Sequence, residues 1–178
     1  LDRRGDAYLK LGRFADAVTD FDAQLALQPD FAPKHWRRGI ALYYAGKFAD
    51  GAKQFKTHET DNPQDVENAV WHYLCTVKAA DKATARKGLI DVTADRRVPM
   101  RQVQALFAGT GTPDDVTKAA EATKADAADG TEARFYAHLY LALWYEAEGD
   151  AKKVRELLTP AVEKYKIGHY MWDVANAH

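Results

Sequence analysis

Apolar residues return every three or four positions along most of the chain, the spacing that gathers them on one stripe of an α-helix. Val66, Val70, Leu74 and Val77 make such a stripe through residues 65–79. Val154, Leu158 and Ala161 make another through residues 151–165. No run alternates polar and apolar residues in the way a half-buried strand does. The breakers fall between the stripes. Asp81 can cap a helix over residues 81–92, and Pro99 suits the first turn of one through residue 108, which Gly109-Thr110-Gly111 interrupts. Thr112-Pro113-Asp114-Asp115 combines a capping hydroxyl, a first-turn proline and acids that complement the helix dipole, so a helix follows to about residue 125. The small polar residues 126–131 predict a loop, and residues 168–177 one closing helix.

The first two helix pairs repeat. Shifted by 34 positions, Arg3, Arg4, Gly5 and Ala7 fall on Arg37, Arg38, Gly39 and Ala41. Gly12, Phe14, Ala15 and Asp16 fall on Gly46, Phe48, Ala49 and Asp50, Phe21 on Phe55, and Pro29 on Pro63. Gly5 and Gly39 belong where two helices approach too closely for a side chain. Gly12 and Gly46 end the first helix of each pair. Phe14 and Phe48 open the second, Ala17 and Gly51 keep its contact face thin, and Pro29 and Pro63 follow its end. Residues 135–150 and 151–165 read as a further copy, with Ala142 at the glycine position, Tyr145 at the aromatic one and Gly149-Asp150 at the turn.

The period and the order of residue types resemble the tetratricopeptide repeat. The resemblance implies an all-α, right-handed superhelix of about five antiparallel helix hairpins plus a C-terminal helix. Residues 1–178 then form a single solenoid, with repeats near 1–30 and 31–64, degenerate ones over 65–130, another at 131–166 and the closing helix.

Composition narrows the function. With 25 basic and 26 acidic residues well mixed, the formal net charge is −1, which gives no one-signed patch for nucleic acid or an anionic membrane surface. Hydrophobic residues at 47% can bury a sizeable core. No stretch has the roughly 18 consecutive apolar residues of a membrane span. The lone Cys75, in an apolar run, reads as a buried, inert thiol.

Chemistry is sparse. Six histidines (His35, His58, His72, His138, His169 and His178) include no HExxH pair, and His72 with Cys75 lacks further local ligands, so no metal is expected. His35 and His138 hold equivalent repeat positions, which points to packing. Gly109-Thr110-Gly111-Thr112 lacks the lysine and preceding strand of a phosphate loop. The chain contains no serine, which excludes a serine hydrolase. No catalytic residue, cofactor or enzyme activity is expected.

Binding fits better. In stacked hairpins the first helix of each pair lines a concave face. That assigns Trp36, Arg37, Ile40, Tyr43 and Tyr44 to exposed inner positions, followed by Val70, Leu74 and Lys78, then Tyr136, Leu139, Tyr140 and Leu143. Aromatic residues with arginine suit an interface centre. The pairs Arg3-Arg4 and Arg37-Arg38 are expected to lay their stems along neighbouring helices and pair with acids. The chain begins within a repeat, so an apolar face is expected there, covered by a preceding segment or by a second copy of the chain.

Residues 38–46 (RGIALYYAG), Asn62-Pro63-Gln64-Asp65 and Trp71-His72-Tyr73-Leu74 resemble the NlpI-type tetratricopeptide lipoproteins, and Phe135-Tyr136, Tyr145 and Gly149-Asp150 continue the likeness. The ending HYMWDVANAH and Val98-Pro99-Met100 resemble a related set of uncharacterised bacterial and plastid repeat proteins. The first likeness implies a dimeric envelope adaptor that presents clients to a periplasmic protease or hydrolase, and a periplasmic or envelope location. The alternative is an intracellular regulatory or assembly subunit in the cytoplasm.

Overall fold

The computed structural model describes residues 1–124 and 127–178. The described residues are helical and contain no strand. Leu1–Val92 forms one compact unit and Thr93–Asn176 a second.

In the first unit α1 (Asp2–Lys10) packs on α2 (Phe14–Leu27), and α3 (Trp36–Tyr44) on α4 (Phe48–His58). The third pair is α5 (Val66–Ala79) with the short α6 (Lys82–Lys87). Consecutive pairs also touch, α2 against α3 and α4 against α5. In the second unit α7 (Met100–Ala108) packs on α8 (Pro113–Glu121), α8 on α9 (Ala128–Glu148), and α9 on α10 (Ala151–Glu163); α11 (Tyr170–Ala177) follows. The chain is thus built from helices packed in adjacent pairs.

The expected close approach is present twice. A Cβ on Gly5 would stand 2.6 Å from the Phe21 ring, and one on Gly39 would stand 2.5 Å from the Phe55 ring. Both rings are almost fully buried, each contributing about 1.5–3 kcal/mol of apolar burial. Phe21 reaches further than its own pair, because its ring also meets His35 edge-on at 4.5 Å. Gly51 does the same between pairs, where a Cβ would lie 2.7 Å from Cys75 Sγ.

The turns repeat as well. Arg13 N donates to Tyr8 O (2.8 Å) and Gly12 N to Leu9 O (3.0 Å); Lys47 N to Leu42 O (2.9 Å) and Gly46 N to Tyr43 O (3.0 Å) copy them. Closing a helix this way needs a left-handed residue, and Gly12 and Gly46 have φ of 71° and 75°. The two sequence-predicted caps form too: Thr112 caps α8 in a reciprocal capping box with Asp115, and Asp81 accepts an amide from the first turn of α6. Asp65 and Asp150, not assigned as caps from the sequence, do the same for α5 and α10.

Several boundaries differ from expectation. Pro29–Lys34 is a 3-10 segment that the proline pattern did not announce. Residues 88–92 leave the helix after Gly88, with Ile90 and Val92 buried outside any element. Pro99 caps α7 rather than entering it. The loop expected at 126–131 is mostly helix, since α9 starts at Ala128. Arg134 explains that start: it donates to Gly130 O (2.8 Å), to Thr123 O just past α8 (3.2 Å) and to Glu121 O at the end of α8 (3.4 Å), tying the first turn of α9 to that segment. Ala125 and Asp126, the expected end of α8 and start of that loop, lie outside the described residues.

Candidate functional site

The sequence reading expects binding on the first helix of each pair, here α1, α3 and α5. Arg37 is held by acids of α1. Its Nη2 donates to both Asp2 oxygens at 2.8 Å, and its Nη1 lies 3.3 Å from Asp6 Oδ1. Arg38 donates to Asp22 (2.6 Å) and Gln54 (2.9 Å), and Arg4 to Asp20 (2.6 and 2.7 Å). These arginines pair with acids, as the sequence suggested. The Arg4 bond also holds the Asp20 carboxyl below the usual carboxylate range.

The aromatic residues form one cluster on the first unit. Phe14 stacks on Tyr44 at 4.7 Å, and Tyr43 meets Phe48, Tyr44 and Trp71 edge-on at 5.6, 5.3 and 5.4 Å. Such contacts favour burial over display. Ile40 and Tyr43 are buried, with 1% and 4% exposure, as are Val70 and Leu74. This corrects the expectation that these side chains line an open groove: the neighbouring pair covers them, Trp71 of α5 sitting against Tyr43. Trp36, Arg37 and Tyr44 are half-buried, and Lys78 is exposed at the end of α5. The accessible part of the assigned face in this unit is therefore Trp36, Arg37, Tyr44 and Lys78.

In the second unit Tyr136 and Tyr140 are likewise buried, together with Leu139 and Leu143, which corrects the same expectation there. Their rings lie parallel at 6.1 Å. The Tyr136 hydroxyl donates to His169 Nδ1 at 3.2 Å, and Arg97, paired with Asp95, stands 5.9 Å from the Tyr136 ring centre. Asp95, Asp2 and Asp20 were not singled out in the sequence, and His169 entered there only as one of six histidines weighed for metal binding. Only Asp20 left a signal, lying 16 residues after Arg4 as Gln54 lies after Arg38.

Buried ionisable groups serve packing. His35 sits between the Phe21 and Phe31 rings with Nε2 3.7 Å from Asp2 Oδ1. Burial, with Arg37 nearby, pushes its pKa down to about 4. His138 Nδ1 lies 2.8 Å from Arg134 O on its own helix. Burial lowers the pKa of His138 and His72 and raises that of the Cys75 thiol, which removes thiolate nucleophilicity at neutral pH. Among the described residues, no group of three or more His, Cys, Asp or Glu side chains could hold a metal ion. No described helix is long and apolar enough to cross a membrane.

No protein-family model matches the chain.

Proposed function

We propose that this protein is a tetratricopeptide-repeat scaffold that binds a protein partner along the first helices of its pairs and performs no catalysis. The observation that carries the reading is the paired Gly5–Phe21 and Gly39–Phe55 packing at a 34-residue interval, each closing across a like-placed glycine turn. A stack of such pairs presents its first helices side by side. On α3 and α5 that presentation leaves Trp36, Arg37, Tyr44 and Lys78 accessible, an aromatic and basic set suited to an acidic or aromatic peptide. Arg37 can bind an incoming carboxylate only by sharing or replacing Asp2 and Asp6.

The NlpI-type likeness extends this to an adaptor that holds a client for an envelope protease or cell-wall hydrolase. The test is capture of partners from the native cell with wild type and Trp36→Ala/Tyr44→Ala chains. Recovery of one partner set that the double variant loses supports the scaffold, and the partners' compartment decides between the envelope adaptor and the intracellular subunit. Equal recovery by both chains overturns the assigned face.

A further inference from the structure

α1 and α3 are the same helix of two successive repeats, and α3 is covered by the second helix of the pair before it. Three contacts from α2 make that cover. Phe14 stacks on Tyr44 at 4.7 Å, the Phe21 ring meets His35 at 4.5 Å, and Asp22 accepts from Arg38 Nε at 2.6 Å. Arg37 completes the join by taking Asp2 and Asp6 of α1. Ala41, about one turn on from Arg38, is wholly buried.

Counted back 34 residues, Arg37, Arg38, Ala41 and Tyr44 become Arg3, Arg4, Ala7 and Lys10 of α1. These positions stand open. Ala7 is exposed where Ala41 is buried. The Arg4 side chain is 62% exposed against 21% for Arg38. Arg4 keeps the bond inside its own pair, to Asp20, and among the described residues has no counterpart of the Arg38–Asp22 bond. Arg3 is exposed and takes no acid among the described residues, where Arg37 takes two. Leu11, 73% exposed, extends the line of Arg4 and Ala7 at helical spacing. One side of α1 thus offers cations beside apolar surface.

We propose that this side of α1 docks an acidic, aromatic helix of a partner protein, built as α2 is: a ring, a second ring seven residues on and an acid directly after it, as in Phe14, Phe21 and Asp22. The partner's acid meets Arg4 as Asp22 meets Arg38. Its rings meet Lys10 and Leu1 as Phe14 and Phe21 meet Tyr44 and His35. A ring against Lys10 gains a cation–π contact in place of the stacking. A second copy of the chain fits poorly. Its α2 is already used against its own α3, and its α10 exposes Lys152, Arg155 and Thr159 along one side, which sets cations against cations. The docking side shares no residue with the accessible set Trp36, Arg37, Tyr44 and Lys78, so it stands or falls apart from the function proposed above.

The probe is a fluorescein-labelled synthetic peptide of residues 12–30, the α2 segment itself, titrated into the full chain and read by anisotropy. Wild type is expected to bind it, and Ala7→Glu/Leu11→Asp to bind it about tenfold more weakly. Both positions are exposed, so the variant keeps its fold. Should it lose helix nonetheless, Leu11→Asp alone replaces it, with a loss of about threefold expected. A probe carrying Asp22→Lys is expected to bind wild type about fivefold more weakly, since it sets a cation against Arg4. No binding, or binding that either change leaves as it was, overturns the docking side. Sedimentation of the wild-type chain as a dimer that Ala7→Glu/Leu11→Asp disperses also overturns it, because that side then belongs to a second copy.

Discussion

Arg4 donates two hydrogen bonds to Asp20, at 2.6 and 2.7 Å, across the first helix pair. One repeat later Arg38 makes the same reach to Gln54 at 2.9 Å. The acid has become an amide, yet the geometry holds, because Gln54 keeps an acceptor oxygen and turns its own amide to Ala32 O at 2.8 Å. The tie belongs to the fold of the pair.

The two partners of the Arg4 tie are unequal. The Arg4 side chain is 62% exposed, whereas that of Asp20 is 5% exposed. Removing Asp20 returns Arg4 to water. Removing Arg4 strands a carboxylate against the core, the costlier loss. Arg4→Ala is therefore expected to lower Tm more than Asp20→Ala, and thermal unfolding of both beside the double variant measures the difference. The carboxylate's depressed pKa makes its contribution full above the ordinary carboxylate range and lost as pH falls through the folded value.

Gly39→Ala places a methyl against a ring that backbone and neighbours hold in position. A contact of 2.5 Å to Phe55 must open, at a cost of about 1–3 kcal/mol. Gly5→Ala is expected to behave alike. Urea unfolding reads both, and an unchanged midpoint in either would show that the ring moves freely.

His35 gives a pH dependence with a definite sign. Its folded pKa of about 4 lies below the ordinary value of 6.5, so the unfolded chain binds the extra proton between those values. Its contribution is complete above pH 6.5, is lost as pH falls towards 4, and flattens below. The loss is on the order of 3 kcal/mol at most. His72 and His138 shift the same way and add to the slope. In His35→Phe the fall in stability between pH 6.5 and 4 should be visibly shallower than in wild type, as denaturant unfolding at each pH would record.

Much of this was legible because a repeat writes its packing twice. Gly5 with Gly39, Phe21 with Phe55 and Gly12 with Gly46 each named a contact or a turn that the structure contains. What stayed illegible was which side of α3 and α9 remains open. Helical spacing places Tyr43 and Tyr140 on a face, but the neighbour decides whether that face meets water. Trp71 covers Tyr43, and Tyr136 stacks beside Tyr140. The early start of α9 was illegible for a similar reason. Its first turn is held by Arg134 reaching back to carbonyls of residues 121 and 123, a contact between elements that no local pattern records.

Cys75 offers a simple check on the absence of thiol chemistry. The side chain is wholly buried against Gly51, and burial raises its pKa. A thiol reagent at pH 8 is expected to react slowly with the folded chain and at once after denaturation. Fast labelling of the native protein would mean an open, activated thiol.

The most direct test of the scaffold reading is amide hydrogen exchange of the full chain with and without a partner recovered by capture. Slowed exchange concentrated on α1, α3 and α5, with α2 and α4 unchanged, is the expected result. Slowing confined to α2 and α4 would contradict the account, since it would place the partner on the second helices of the pairs.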